Sequence, residues 1–112
     1  MKKVEAIVQP MVFDAVKTAL IERGFTSLTI LEVRGHGRQK GHVEIFRGQE
    51  YKVDLLPKVY FMLVVHDEWV SDVVKTIKDA AFSGELGDGK IFVSPVDHVF
   101  RIRNEERDDE AI

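Results

Sequence analysis

Residues 59–81 read VYFMLVVHDEWVSDVVKTIKDAA, and this run combines the two patterns on which the fold depends. Its first part, residues 59–65, is apolar at odd and even positions alike, which is typical of a strand covered on both faces. Asp67 is a candidate N-cap, and behind it apolar residues return at helical spacing. The run therefore predicts a buried strand and then an amphipathic helix that Gly84 ends. The helical positions are Val70, Val73, Val74, Ile77 and Ala81.

Residues 4–33 show the same two patterns earlier in the chain. VEAIV, residues 4–8, is rich in strand-forming residues and stops at Pro10. A helical stripe follows and predicts a helix that ends at Gly24. Residues 28–33 predict a second strand. The stripe consists of Val12, Ala15, Val16, Ala19 and Leu20.

The C-terminal part supplies the last strand and completes the fold. Residues 91–93 predict a fourth strand, and residues 96–103 a short edge strand or extended tail. The order β-α-β-β-α-β predicts an α+β fold, a ferredoxin-like sandwich with both helices on one face of an antiparallel sheet. Tyr60, Met62 and Val64, or their neighbours along the strand, would point out from the bare face. An apolar face of that size predicts self-association.

The composition narrows the classes of function. The chain has 112 residues, of which 45% are hydrophobic, and this fits one globular domain over residues 1–112. Its formal net charge of −3 argues against a nucleic-acid partner. The absence of cysteine excludes disulfides and thiolate metal sites. The N-terminal MKKVEAIVQP lacks the apolar run of a signal peptide or membrane span, so we expect a cytoplasmic protein.

A long polar stretch, RGHGRQKGHVEIFRGQEYKVD at residues 34–54, has no clear period. Loops of this length inside compact domains are usually functional or disordered. Tyr51 lies late in this stretch among charged residues, so it is a candidate contact or modification site.

Three polar clusters each have a functional and a structural interpretation. GELGDGKIFV, residues 84–93, places three glycines before Lys90. Such a loop can present backbone N–H groups to a phosphate, or it can be a tight turn with a surface lysine. Arg101 and Arg103 would leave the same face of an extended segment, where they could bind a polyphosphate or protect a sheet edge. GHGRQKG, residues 35–41, supplies Arg38 and Lys40 for binding an anion, or its glycines only make the loop flexible.

The occurrence of all three clusters in one small acidic domain favours an anion site. The pattern GxxxxGK[ST] is absent, so the chain is not predicted to be a P-loop NTPase. The histidines are scattered without metal-ligand spacing, and we find no Ser-His-Asp or Cys-His set. The sequence therefore favours binding over catalysis.

Two longer segments carry a more specific pattern. One is SGELGDGKIFV at residues 83–93, and the other runs from GHGRQKGH (35–42) through FRGQEY (46–51) to DLLPK (54–58). With the ending RIR at residues 101–103, they resemble the PII nitrogen-regulatory signal-transduction proteins, over essentially the whole chain.

The resemblance implies a homotrimer of ferredoxin-like subunits that binds ATP or ADP in clefts between neighbours. It divides the chain into a flexible T-loop at residues 37–55, a nucleotide-binding loop at 84–90 and a C-terminal loop and tail at 101–112. The nucleotide contacts that it implies are Thr29, Gly37, Arg38, Gln39, Val64, Gly87, Asp88, Gly89, Lys90, Arg101, Ile102 and Arg103.

The resemblance also implies that 2-oxoglutarate binds beside ATP through a Mg²⁺ ion, with Gln39 as the metal-side residue. A dicarboxylate requires a cation, a lysine and free N–H groups, and the implied contacts supply them. They are Gly37, Gln39, Lys40, Gly41 and Lys58.

The resemblance further assigns partners to the long loop. Arg47 matches a loop-tip arginine that enters the pore of an ammonium transporter in one branch of the family. Tyr51 matches a tyrosine that a uridylyltransferase modifies in some members, although Phe46 and Gln49 depart from that signature. The expected function is a non-enzymatic regulator of nitrogen-metabolism enzymes or a transporter, controlled by ATP, ADP and 2-oxoglutarate.

Two other classes share this element order. An RRM-like RNA-binding domain would explain KIFVSPV at residues 90–96 as an RNP2-like strand, but no RNP1 pattern is present. A small nucleotide-using enzyme on the same fold would need a nucleophile that the sequence does not identify. Fold alone does not separate these classes.

Overall fold

A computed structural model of the chain has eight α-helices and β-strands in its described residues. The structure describes residues 1–37, 42–53 and 55–112, with the side chains of residues 42–46 and 50–53 outside the description. In chain order the elements are β1 (Lys2–Val8), α1 (Pro10–Glu22), β2 (Thr29–Gly35), β3 (His42–Phe46), β4 (Gln49–Val53), β5 (Leu56–Val65), α2 (Val70–Ala81) and β6 (Gly89–Pro95).

The main sheet has four strands in the order β2-β5-β1-β6. All three pairings are antiparallel, and in register Glu5 lies opposite Met62 on one side and Phe92 on the other. The two helices connect strands that are not neighbours in the sheet. This topology confirms the predicted ferredoxin-like α+β sandwich.

The core lies between the sheet and the two helices. Alternate residues of β1 and β5 are buried, as expected of strands with one face on a core. Both helices contribute to this core, so both lie on one face of the sheet. The buried core comprises Val4, Ala6, Val8, Val16, Leu20, Val59, Phe61, Leu63, Val65, Val73, Ile77 and Ala81.

The other face of the sheet is only partly covered. Tyr60, Met62 and Val64 are half-buried there, so of the two alternatives that the sequence left open these three residues face outward. The Tyr60 hydroxyl donates to Glu5 Oε2 at 2.5 Å across the two central strands. Toward the sheet edges Leu31 is 55% exposed and Phe92 is 47% exposed.

The start of α2 differs from the prediction. Asp67–Trp69 forms a 3₁₀ turn, and α2 begins at Val70 without a side-chain cap, so the prediction of Asp67 as the N-cap is wrong. The Asp67 carboxylate instead accepts a hydrogen bond from the N-terminal ammonium of Met1 at 2.9 Å. That contact ties the chain start to the end of β5 and lowers the pKa of Asp67, chiefly through this hydrogen bond.

The long connection between β2 and β5 contains a β-hairpin that the sequence analysis did not predict. β3 pairs antiparallel with β4, with Phe46 opposite Gln49. Arg47 and Gly48 form the turn with φ of 53° and 77°. Positive φ at both central positions is the geometry of a type I′ turn, which suits the twist of a hairpin.

The C-terminal segment is folded back rather than extended. An isolated bridge joins Phe100 to Arg107, and a 3₁₀ turn follows at Asp108–Ala111. The Arg101 N–H donates to the Glu106 carbonyl at 3.0 Å, and the Asp108 N–H donates to the Val99 carbonyl at 2.7 Å. These bonds close a turn, so the prediction of Arg101 and Arg103 on one extended face is wrong. Within the described ranges, no helix is long and apolar enough to cross a bilayer.

Candidate anion-binding site

The glycine loop, defined here as residues 82–89, connects the end of α2 to the start of β6. Gly84, Gly87 and Gly89 have φ of 85°, 95° and 110°. Side chains rarely tolerate these values, so the loop depends on glycine at all three positions. The spacing that the sequence analysis singled out therefore corresponds to a specific backbone path.

Asp88 holds the glycine loop in shape from within. Its carboxylate accepts hydrogen bonds from the Ser83 N–H at 2.8 Å, from the Gly84 N–H at 3.0 Å and from the Ser83 hydroxyl. The Ser83 hydroxyl bond is the main reason why the pKa of Asp88 lies below its usual range. Sequence reasoning predicted Asp88 as a nucleotide contact but missed this internal role.

Gly89 fixes the loop against the sheet. A Cβ atom at this position would lie 1.8 Å from the Ile7 carbonyl oxygen, which is backbone and cannot move aside. Gly89 also pairs with Val8 at the end of β1. The loop is thus anchored at one end by Asp88 and at the other by close contact between two strands.

Lys58 reaches the same loop from β5. Its Nζ donates to the Gly87 carbonyl at 3.2 Å. Partial burial lowers the pKa of Lys58, and the neighbouring Asp88 charge acts in the opposite direction. The structure therefore brings together Lys58, predicted as a 2-oxoglutarate contact, and Gly87, Asp88 and Gly89, predicted as nucleotide contacts.

A cleft of ≈ 350 Å³ opens beside the glycine loop, between α2 and the first residues of β6. Its walls are mainly apolar, and Lys78 and Lys90 are among the residues that line it. Lys90 is exposed at the start of β6. A backbone N–H loop beside exposed cations is the chemistry that binds phosphate or carboxylate groups.

The predicted arginines occupy different environments. Arg101 is half-buried, and its Nε donates to Glu106 Oε2 at 2.6 Å while its Nη2 donates to the Ala111 carbonyl at 3.3 Å. Arg103 and Ile102 are exposed on the turn. Arg103 makes no hydrogen bond or ion pair with any residue in the described part of the chain.

Thr29 and Val64 lie away from the glycine loop within one chain. Thr29 is on β2, at the edge of the sheet opposite β6. Three strand spacings separate those edges, or about 14 Å. Val64 is opposite Lys3 near the far end of β5 and lines a second cleft of ≈ 280 Å³ with Phe25 and Trp69.

Several predicted residues fall in the segment between β2 and β5. Gly37 is exposed just after β2, and Arg47 is at the tip of the hairpin. Tyr51 belongs to β4 by its backbone, and its side chain lies outside the description. Four further predicted contacts lie outside the described residues, and they are Arg38, Gln39, Lys40 and Gly41.

The fold and the site together define a class: a small ferredoxin-like α+β protein with a glycine loop and lysines suited to binding an anion. Comparison with known proteins narrows this class. Residues 1–106 match the family described as "Nitrogen regulatory protein P-II". The chain belongs to this family.

Individual relatives are similar over their full length. "Nitrogen regulatory protein P-II 1" of Escherichia coli (strain K12) is 54% identical over 112 residues, which is 100% of both chains. "Nitrogen regulatory protein P-II" of Pasteurella multocida (strain Pm70) and that of Azospirillum brasilense are each 51% identical, again over 100% of both chains. The resemblance stated from the sequence is therefore confirmed at the level of the family.

Proposed function

We propose that this protein is a non-enzymatic, cytoplasmic signal-transduction regulator of nitrogen metabolism that binds ATP or ADP and 2-oxoglutarate. Membership of the nitrogen regulatory protein P-II family supports the regulatory role. The ligands would change the order of the connection between β2 and β5, and that connection would bind or release target proteins. Each ligand shifts such an equilibrium only by its differential affinity for the two states.

The nucleotide proposal rests on two features of the glycine loop, the bonded Asp88 carboxylate and the exposed Lys90. Asp88 is bonded to amides of its own loop, and Lys58 is beside it, so the acidic charge is compensated within the loop. Lys90 lies exposed at the loop's exit into β6. At Lys90 a triphosphate would therefore meet an exposed ammonium and glycine backbone, while the Asp88 carboxylate is already engaged by its own loop.

The positions of Thr29 and Lys90 on opposite edges of the sheet favour a site shared between chains. With about 14 Å between those edges, residues from two neighbouring copies can approach one nucleotide more easily than residues from one. The partly covered sheet face with its exposed Leu31 and Phe92 supplies apolar area for association. A homotrimer with nucleotide sites between its subunits fits both features.

The 2-oxoglutarate site would lie beside the phosphates, with Lys58 as its described cation. Within the described ranges, no cluster of acidic or histidine side chains could hold a metal ion. Mg²⁺ commonly takes its ligands from substrate phosphates and few protein groups, so ATP, the 2-oxoglutarate carboxylate and the Gln39 amide form a reasonable donor set.

The hairpin formed by β3 and β4 is the proposed contact with target proteins. Arg47 sits at its tip, where an ammonium transporter or a nitrogen-assimilation enzyme could receive it. Tyr51 on β4 would be the acceptor if a uridylyltransferase acts on this chain. Pull-downs from cell extract with ATP plus 2-oxoglutarate, set against ADP, would identify the partners. Identical captures under both conditions would contradict ligand control.

Isothermal titration with ATP tests the nucleotide proposal. Lys90→Ala should weaken binding by roughly 1.5–3 kcal/mol, since it removes a charged hydrogen bond to phosphate. Lys75→Ala is the matched control, because among the described residues Lys75 pairs only with Asp79, on the exposed surface of α2. Equal affinity of the Lys90 and Lys75 variants would refute the phosphate-binding role of the loop.

A further inference from the structure

The segment from Glu106 to the C-terminus, called here the tail, folds onto Arg101. The Arg101 Nε donates to Glu106 Oε2 at 2.6 Å, and Nη2 donates to the Ala111 carbonyl at 3.3 Å. The Arg101 backbone N–H also donates to the Glu106 carbonyl at 3.0 Å. One arginine is therefore bound by the tail through its side chain and its backbone.

Further contacts hold the tail in this position. Asp108 accepts from the Val99 N–H at 3.1 Å and lies 3.4 Å from His98 Nδ1. Asp109 lies 3.3 Å from His66 Nδ1. The Glu106 N–H donates to the Asn104 side chain at 2.9 Å. The tail thus has several anchors that are independent of Arg101, and these anchors present Glu106 to the guanidinium.

The tail engages the hydrogen-bond donors of Arg101 that a phosphate would need. Nε and Nη2 are adjacent donors on one side of the guanidinium, where they can bind an oxyanion in bidentate fashion. Both are already engaged, and the Glu106 carboxylate offsets the positive charge of Arg101. We propose that the tail is an internal competitor at Arg101, so that a nucleotide phosphate and Glu106 exclude each other at its Nε and Nη2 donors. This proposal rests on the proposed nucleotide function.

Competition at Arg101 couples ATP binding and docking of the tail, so that each weakens the other. If the tail lowers the affinity for ATP by some factor, ATP must weaken the docking of the tail by the same factor. The pair is partly exposed, with 37% and 40% of the two side chains accessible. Exposed ion pairs contribute little, so we expect a coupling of about two- to five-fold.

Titration with ATP provides the first test. Glu106→Gln should bind ATP about two- to five-fold more tightly than the unmodified chain, and Glu106→Ala at least as tightly as Glu106→Gln. Glu105→Gln makes the same change of charge at the neighbouring residue, and Glu105 has no hydrogen bond or ion pair within the described part of the chain. That control should bind ATP with unchanged affinity.

The outcomes separate this inference from the nucleotide proposal. If the unmodified chain binds ATP and Arg101→Ala weakens binding, the nucleotide site stands. Unchanged or weaker binding by both Glu106 variants would then overturn the competition alone. If the unmodified chain does not bind ATP, both proposals fail together.

Hydrogen exchange provides a second readout on the unmodified protein. The amides of Arg101 and Asp108 are bonded across the turn, to Glu106 and Val99 respectively. Saturating ATP should accelerate their exchange by about the same factor as the gain in affinity of Glu106→Gln. Slower exchange of these amides with ATP would contradict the proposal, because it would mean that nucleotide tightens the tail.

Discussion

Asp88 shows how a single carboxylate determines the shape of a binding loop. Its hydrogen bonds to Ser83 and Gly84 give the glycine loop a defined path. The entropic cost of ordering the loop is therefore incurred on folding and not on ligand binding. The glycine spacing made an anion site predictable from the sequence. The role of Asp88 in holding the loop was not predictable, because it depends on the loop bringing together Ser83 and Asp88, which are five positions apart.

Gly89 should tolerate replacement poorly. A Cβ would lie 1.8 Å from the Ile7 carbonyl oxygen, and the φ of 110° is unfavourable for any side chain. We expect Gly89→Ala to lower the free energy of unfolding by roughly 3 kcal/mol, measured by urea denaturation.

Gly35→Ala is the matched control for this experiment. Of the atoms in the described part of the chain, a Cβ at Gly35 would meet only Lys58 Cγ, at an ordinary contact distance of 3.5 Å. Its free energy of unfolding should stay within about 1 kcal/mol of the unmodified protein. If the two variants unfolded at the same denaturant concentration, the close approach of β1 and β6 at Gly89 would be wrong.

At the scale of elements, Glu5 and Tyr60 link the two central strands on the open face of the sheet. The hydroxyl bond lowers the pKa of Glu5 and raises the pKa of Tyr60. Because its folded pKa is lowered, Glu5 stabilises the fold at pH values above the unfolded glutamate pKa of about 4.3, and this stabilisation is lost as the pH falls through the folded pKa. Because its folded pKa is raised, Tyr60 stabilises the fold below about pH 10, and this stabilisation is lost as the pH rises through the folded pKa of Tyr60.

Replacement of the tyrosine tests this pair. Tyr60→Phe should move the pKa of Glu5 upward, as followed by NMR titration of its carboxyl carbon. Lys3→Met should move it upward by less, because the Lys3 charge has a smaller influence on Glu5 than the Tyr60 hydroxyl does. A larger shift in the Lys3 variant would show that charge rather than the hydroxyl bond governs this site.

The elements also show where sequence patterns succeed and fail. The strands of the main sheet and both helices were predictable, because a buried face imposes a period on each of them. The hairpin of β3 and β4 was missed, since its turn uses Arg47-Gly48 instead of the usual Asn-Gly or Asp-Gly pair. The fold of the C-terminal segment was missed because backbone bonds between Arg101 and Glu106 leave no periodic signal.

At the scale of the whole molecule, the open sheet face should determine the assembly. Phe92 is 47% exposed on an edge strand and lies in register with Glu5 and Met62. If the chain forms the proposed trimer, Phe92→Glu should shift it toward monomer, as measured by light scattering during size-exclusion chromatography. The physical reason is that a charge buried between copies costs more than the lost apolar contact.

Met11→Glu is the control for the assembly experiment. Met11 is 87% exposed near the start of α1, on the side of the sheet away from the open face. This variant should elute as the unmodified protein does. A trimer that survives Phe92→Glu but not Met11→Glu would place the interface on the helices instead.

The central claim is that neighbouring copies of this chain jointly bind the phosphates of a nucleotide at the glycine loop. Native mass spectrometry with ATP and Mg²⁺ tests assembly and occupancy in one measurement. We predict a species of three chains carrying up to three nucleotides, and the same three chains largely without nucleotide for Lys90→Ala. A single chain that binds ATP by itself, or a trimer whose nucleotide content is the same in both proteins, would contradict the account.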